Sequence, residues 1–443
     1  MDDLHAQVAA CIEAQRSEAV DLLGELVGIN STNPNFPGIT RSEVIGGETR
    51  CNELLQPRFE AAGAETHWIA SDPERKNLVA VRRGRGEGPS LLLNGHVDTV
   101  PPVDPENWVH GDPWKPVLDQ GYMYGLGTTD MKAGVVAMYL VAQTLERLGL
   151  ELAGDLQFHS VVGEETWEHE LGTSACVEAG WRADRAIVAE PTGADRPMGL
   201  ATISPGLWNL RIRVKGRSTH AGNRFAALRP GGAGDAIGVN ALEKGVKIVG
   251  LIQDLETEWG MTRNHPAFPP GFFTILPGVF SSDAGYPVPF YFPDHATIAY
   301  DVWHNPSHTA EEVSAEIEAF VLAGCTLDTW MREHPPEFEW VSHYPPFATE
   351  WHDPLVAAVA AAQGEVTGLP VAPPSPAAPA NFGAVCDASW LQQRGIPCVI
   401  FGPGDGRLAH CRDERVKVDQ MLEAATTLTL ATIDYLGAAA GGG

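Results

Sequence analysis

The chain has 443 residues, 44% of them hydrophobic and 20% charged. That is globular composition, and it is too long for one ordinary core, so two domains are expected. A formal charge of −27, from 57 acidic and 30 basic residues, argues against nucleic acid or an anionic membrane surface as partner, because both need a basic face.

The seven cysteines show no C-x-x-C spacing. This argues against a disulfide framework or a zinc–thiolate site and fits a reducing cytoplasm. The opening Met1-Asp2-Asp3-Leu4 puts acids where a signal peptide carries base. The apolar stretch around Val135–Val141 is too short to span a bilayer. A soluble, cytoplasmic protein is the expectation.

In chain order, Ala9–Val27 reads as a helix, followed by an Asn/Pro/Gly-rich loop over Asn30–Gly47. Leu91-Leu92-Leu93 before Asn94-Gly95 reads as a strand buried on both faces. Met131–Leu148 reads as the following helix, and Leu156–Val162 and Ala186–Ala189 as further strands. This alternation is that of an α/β domain with a mostly parallel sheet flanked by helices.

Near Gly206 the pattern changes. Trp208, Leu210, Ile212 and Val214 alternate with more polar positions, as in a half-exposed antiparallel strand. Val239–Trp259 reads as an amphipathic helix and Ala296–Val302 as a strand. Thr309 and Glu312 form a capping box for another helix. Residues 206–330 are therefore expected to form a smaller α+β domain interrupting a larger α/β domain of residues 1–205 and 331–443. A Pro-rich loop (Leu369–Pro379), a strand at Cys398–Phe401 and a helix over Val418–Leu436 follow. The closing Ala438–Gly443 reads as an unstructured tail, and no internal repeat is evident.

Polar clusters sit at the ends of the apolar strands, where open α/β sheets place ligands. Gly95-His96-Val97-Asp98 offers an imidazole and a carboxylate two residues apart, one to ligate and one to orient. Asp130, in Gly125-Leu126-Gly127-Thr128-Thr129-Asp130-Met131-Lys132, is either a helix cap or a carboxylate able to bridge two cations. Adjacent Glu164 and Glu165 after a strand repel unless a cation or proton separates them. Ala189-Glu190-Pro191-Thr192, Ser218-Thr219-His220-Ala221-Gly222, and Gly402-Pro403-Gly404-Asp405 with His410 complete the set. Each cluster is weak alone, and ordinary surface pairs and caps explain any one of them. No G-x-S-x-G is present, which excludes the usual serine hydrolase signature.

Together, in this order and spacing over residues 91–410, the six clusters resemble the family of acetylornithine deacetylase, succinyl-diaminopimelate desuccinylase and glutamate carboxypeptidase. The resemblance implies two divalent cations, with zinc expected and cobalt or manganese also suited to a nitrogen/oxygen donor set. It implies His96, Glu190, Glu165 and His410 as terminal ligands and Asp130 as the bridge. It implies Asp98 holding His96, Glu164 as general base, and His220 reaching across a homodimer built through the insert.

The family pattern also places an arginine, in D-x-R before a proline, on a substrate carboxylate. Here Asp301-Val302-Trp303 puts Trp303 in that place, and Asp387-Ala388-Ser389 stands where D-A-R is seen. A bidentate carboxylate clamp needs arginine. Either Arg224 or Arg229 takes over the clamp, or the pocket is aromatic, with Trp303, Trp167 and Phe225 in it. Trp303 and Asn240 are the expected substrate-binding residues. The expected activity is that of an N-acyl amino acid deacylase on a small-molecule substrate with an apolar or aromatic group. A dipeptidase or carboxypeptidase, a hydrolytic deaminase of an aromatic amine, and a non-catalytic metal-binding protein are the alternatives.

Overall fold

The computed structural model describes residues 2–193, 198–229, 234–378 and 380–440. The chain divides into two compact units. The first comprises residues 1–203, 347–374 and 380–443, and the second residues 204–346 and 375–379.

The strands of the two larger sheets are β1 (Glu65–Asp72), β2 (Arg75–Arg82), β3 (Leu91–His96), β4 (Leu156–Val161), β5 (Arg185–Val188), β6 (Gly206–Lys215), β7 (Ile275–Ser281), β8 (His295–His304), β9 (Glu337–Tyr344) and β10 (Cys398–Ile400). The first unit orders its sheet β1-β2-β4-β3-β5-β10. The pairings of β3 with β4 and β5, and of β5 with β10, are parallel, while β1–β2 and β2–β4 are antiparallel. Every residue of β3 and β4 is buried, as their unbroken apolar character predicts.

The longer helices of this unit are α1 (Asp2–Ala14), α2 (Arg16–Val27), α3 (Gly47–Ala61), α4 (Ala133–Arg147), α7 (Pro354–Thr367) and α8 (Val418–Leu436). They share one core with the sheet, containing Leu55, Phe59, Leu140, Phe158, Ile187 and Leu428. The single helix expected over Ala9–Val27 is two, because the backbone turns at Gln15. The Gln15 amide instead donates to the Cys11 carbonyl and Thr144 hydroxyl. The tail expected after Gly437 is partly a strand, since Ala438–Ala440 pairs with Leu150–Leu152. Gly441–Gly443 lie outside the described residues.

The second unit is an antiparallel sheet, β7-β8-β6-β9, with α5 (Ala241–Thr262) and α6 (Ala310–Cys325). Alternate residues of β8 are buried, among them Ile298, Tyr300 and Val302. The capping box at Thr309 and Glu312 forms as expected. This unit runs to Pro346 rather than ending near 330, because β9 pairs with β6. No helix among the described residues is long and apolar enough to cross a membrane.

Candidate metal and catalytic centre

Strand β3 ends on His96, which is buried. Its Nδ1 lies 3.0 Å from the Asp98 carbonyl oxygen. A carbonyl only accepts, so Nδ1 carries a proton, and Nε2 is the nitrogen that would face a cation. Nε2 faces Asp130 Oδ1 at 3.1 Å and Glu190 Oε1 at 3.5 Å. On the other side, His410 Nε2 faces Asp130 Oδ2 at 3.4 Å and Glu165 Oε2 at 2.9 Å. Asp130 thus lies between two imidazoles with one oxygen toward each. One side holds His96 and Glu190, the other His410 and Glu165.

Close packing sets this geometry. A Cβ on Gly134, at the start of α4, would lie 2.1 Å from the Ala189 carbonyl oxygen. The helix therefore closes onto the strand end carrying Glu190. Asp130 is not a helix cap; it lies in an irregular turn with φ −120° and ψ 95°, and Lys132 precedes the helix.

The turn is held by Glu414, a residue the sequence reading missed. Its carboxylate accepts from the backbone N–H groups of Gly127 (2.9 Å), Thr129 (2.7 Å) and Asp130 (3.0 Å). Glu414 therefore ties the His410 loop to the Asp130 turn. Buried Lys132 adds a second tie, donating to the carbonyls of Leu26 and Ile29.

The role expected for Asp98 is corrected in part. Its carboxylate Oδ1 is 3.6 Å from His96 Nδ1, too far for a hydrogen bond. Asp98 orients His96 through its carbonyl. Its carboxylate accepts instead from the N–H groups of Glu164 (3.3 Å) and Glu165 (3.1 Å) and from Asn33 Nδ2 (2.8 Å). Asp98 follows the end of β3, so strand alternation no longer sets the direction of its side chain.

Electrostatics fit a cationic occupant. Desolvation raises the Glu164 carboxyl well above its usual range, with Glu190, Glu165 and Asp387 adding to it against His96. Desolvation and the Asp130 charge push Glu190 up to about 7. Hydrogen bonds to Asp130 and Glu165 raise His410 to about 11. Burial opposes a charge on His96, yet its bonds to Asp130 and Glu190 outweigh that and raise it. Protons thus balance the carboxylates here, and cations would displace them.

The metal-free protein is therefore expected to lose stability as pH rises. Glu190 binds its proton more tightly folded than unfolded, so its contribution is present below 4.5 and lost through about 7. His410 has the same sign, its contribution falling from 6.5 toward about 11. The Tm gain on adding zinc should be larger at about pH 8 than at about pH 5.5, read by calorimetry with and without zinc. A pH-independent gain would contradict the displacement of protons.

His220, Asn240 and Trp303 belong to the second unit. His220 is exposed and caps the turn Ala221–Asn223, its Nδ1 accepting from Gly222 N–H at 3.0 Å. Asn240 Oδ1 caps α5, accepting from the N–H groups of Leu242 (3.0 Å) and Glu243 (3.4 Å). A helix-capping oxygen is spent on the backbone, which weakens the substrate role expected of Asn240. Trp303 is half-buried on β8, on the face opposite Val302 and His304. Arg224 is ion-paired with Glu243 at 2.5 Å, and Arg229 lies over the Phe225 ring.

The family profile for Peptidase family M20/M25/M40 matches residues 92–433. The chain belongs to this family. The N-formyl-4-amino-5-aminomethyl-2-methylpyrimidine deformylase of Halalkalibacterium halodurans is 33% identical to this M20 chain over 416 residues, 91% of this chain and 92% of the relative. A succinyl-diaminopimelate desuccinylase of Cupriavidus necator is 27% identical over 394 residues, 86% of this chain and 92% of the relative. Among solved structures, a dinuclear metal binding peptidase of the M20 family from Bacillus subtilis has a TM-score of 0.65 at 12% identity, covering 96% of this chain and 99% of that one. This M20 chain is a metal-dependent hydrolase acting on C–N bonds.

Proposed function

We propose that this hydrolase removes a small acyl group from an amide whose amine half is aromatic and carries no carboxylate. The observation that carries this reading is Trp303 in the place where the family resemblance puts a carboxylate-binding arginine. The deformylase relative supports it, because the compound in its name is a formamide of an aminomethylpyrimidine. An N-acyl amino acid deacylase with an aromatic pocket is the second reading, favoured by the desuccinylase relative.

In this reading His96 and Glu190 would hold one cation and His410 and Glu165 another, with Asp130 serving both. The donor set of two imidazoles and three carboxylates suits zinc, cobalt or manganese. When bound, the cations supply the positive charge that acidifies a water and polarises the amide carbonyl. Glu164 takes the proton of the attacking water on a carboxylate oxygen as the O–C bond forms. It then delivers that proton to the amine nitrogen as the C–N bond breaks. The Nε2–H of His220 donates to the carbonyl oxygen as charge develops there.

Two features support a cytoplasmic homodimer built through the second unit, the first bearing on the compartment and the second on the dimer. All seven cysteines are free. Edge strand β7 exposes Leu276, Val279 and Phe280, and α5 exposes Leu242 and Val246, an apolar surface suited to a second copy.

After reconstitution with zinc, elemental analysis should find about two metal ions per chain, and fewer in Asp130→Ala. Released amine should then give a kcat/KM roughly 100-fold higher for N-formylbenzylamine than for N-acetylphenylalanine, since a buried carboxylate without a partner is rejected. A preference for N-acetylphenylalanine would favour the second reading, cleavage of Phe-Gly alone a dipeptidase, and ammonia from the aromatic amine a deaminase. Bound metal with no turnover of any probe would favour a non-catalytic protein.

A further inference from the structure

The turn Gly163–Glu168 carries both Glu164 and Glu165. Its ends meet, since Glu168 N–H donates to the Gly163 carbonyl at 2.8 Å. Gly163 has φ +84°, and a Cβ there would crowd the Glu168 carbonyl at 3.1 Å. Behind this turn lies Arg75, whose side chain is fully buried at the start of β2.

The Arg75 guanidinium forks onto Glu48, with Nε to Oε2 at 2.6 Å and Nη2 to Oε1 at 2.7 Å. Its Nη1 reaches Glu168 Oε2 at 2.6 Å. Glu48 Oε1 also accepts from Gly163 N–H at 3.2 Å. One end of the turn is therefore bonded to Glu48 and the other to Arg75. Glu168 further accepts from Asn35 Nδ2 at 2.6 Å and from the Thr166 hydroxyl at 2.8 Å. Asn35 lies two residues from Asn33, the residue that donates to Asp98.

We propose that Arg75, Glu48 and Glu168 form a positioning clasp that fixes the Glu164–Glu165 turn for catalysis, with Glu168 as its outer, detachable arm. None of the three touches the reacting atoms in this proposal. They act through the turn, which aims Glu164 and presents Glu165 beside His410. A buried guanidinium is suited to this task because its planar fork fixes direction as well as charge. Glu168 is the arm open to test, since its side chain is 23% exposed whereas Glu48 is 1% exposed.

The inference rests on Glu164 as base and Glu165 as ligand, so the test pairs turnover with two readouts that need no substrate. In zinc-loaded Glu168→Ala, kcat on N-formylbenzylamine should fall about 10- to 100-fold with KM within about twofold. Zinc loss to a chelator should quicken about 10-fold for one of the two ions, and amide exchange should rise across residues 163–168. Glu168→Gln, which keeps the length and one acceptor oxygen, should recover part of each effect. Arg75→Lys, which keeps charge but not the fork, should resemble Glu168→Ala. Wild-type kcat, zinc release and exchange in Glu168→Ala would overturn the clasp. So would a fall in kcat that only matches a loss of folded protein. If the wild-type enzyme turns over no amide probe, the functional reading fails, and zinc release and exchange decide the clasp alone.

Discussion

Replacing Glu164 with alanine is expected to lower kcat by about 1,000-fold or more, on the order of 4 kcal/mol in the barrier, while the metal ions stay bound. The imidazole–carboxylate contacts of the centre are made among His96, Asp130, Glu190, Glu165 and His410. Replacing Glu164 keeps all five of these residues. Without metal, desolvation and neighbouring carboxylates raise the Glu164 carboxyl well above the usual range. With cations bound to those neighbours, the ionised Glu164 carboxylate is the group that would take the proton of water and pass it to the amine. Glu164→Gln should be nearly as slow, because an amide cannot take the proton. Glu164→Asp should lie between, having the right group one methylene short. Turnover and metal content must come from the same preparation. Metal lost together with activity would make Glu164 a ligand, and near-normal kcat would move the base role to another group.

Burial decided only part of what could be read before the structure: β2 is buried along most of its length, yet it was missed, because Arg75, Lys76, Asn77 and Arg82 flank its short apolar run. Strands β3, β4 and β5 were legible because burial on both faces leaves unbroken apolar runs. The edge strand β1 was not, because its residues are exposed or half-buried throughout and carry charges among the apolar ones. Strand β9 escaped for the same reason, its Glu337-Phe338-Glu339-Trp340 lying mostly half-exposed. Missing it moved the expected end of the insert from Pro346 to about 330.

The same rule governs the site. Each ligand follows a legible strand or a glycine turn, so the motifs announce it. Glu414 sits in Cys411-Arg412-Asp413-Glu414-Arg415, and Arg75 in Asp72-Pro73-Glu74-Arg75-Lys76. Both runs look like solvated charge, yet both of these side chains are buried and bonded to the turns that carry ligands. Nothing in local sequence separates the one buried charge in such a run from its exposed neighbours. Their partners, Gly127 and Glu168, are brought to them only by the fold.

His220→Ala is expected to lower kcat about 100- to 1,000-fold without changing metal content, as loss of one oxyanion donor does. Its Nδ1 accepts from the Gly222 N–H, so the proton resides on Nε2, which makes an exposed neutral imidazole an N–H donor to a developing oxyanion. Which site it serves is decided by mixing. If His220 serves the partner's site, a dimer of one His220→Ala chain and one Glu164→Ala chain concentrates both lesions in one site and leaves the other intact. Random pairing of equal amounts makes half of the dimers mixed, so activity should return to about one quarter of wild type from two nearly inactive parents. If His220 serves its own chain, each site of the mixed dimer keeps one lesion and nothing returns. The assay needs only dissociation and reassociation of the two variants, with a Glu164→Ala/His220→Ala double variant as the control that must stay inactive in mixture with either parent. Recovery would make the dimer the smallest catalytic unit. A mixture no faster than its parents would confine each site to one chain.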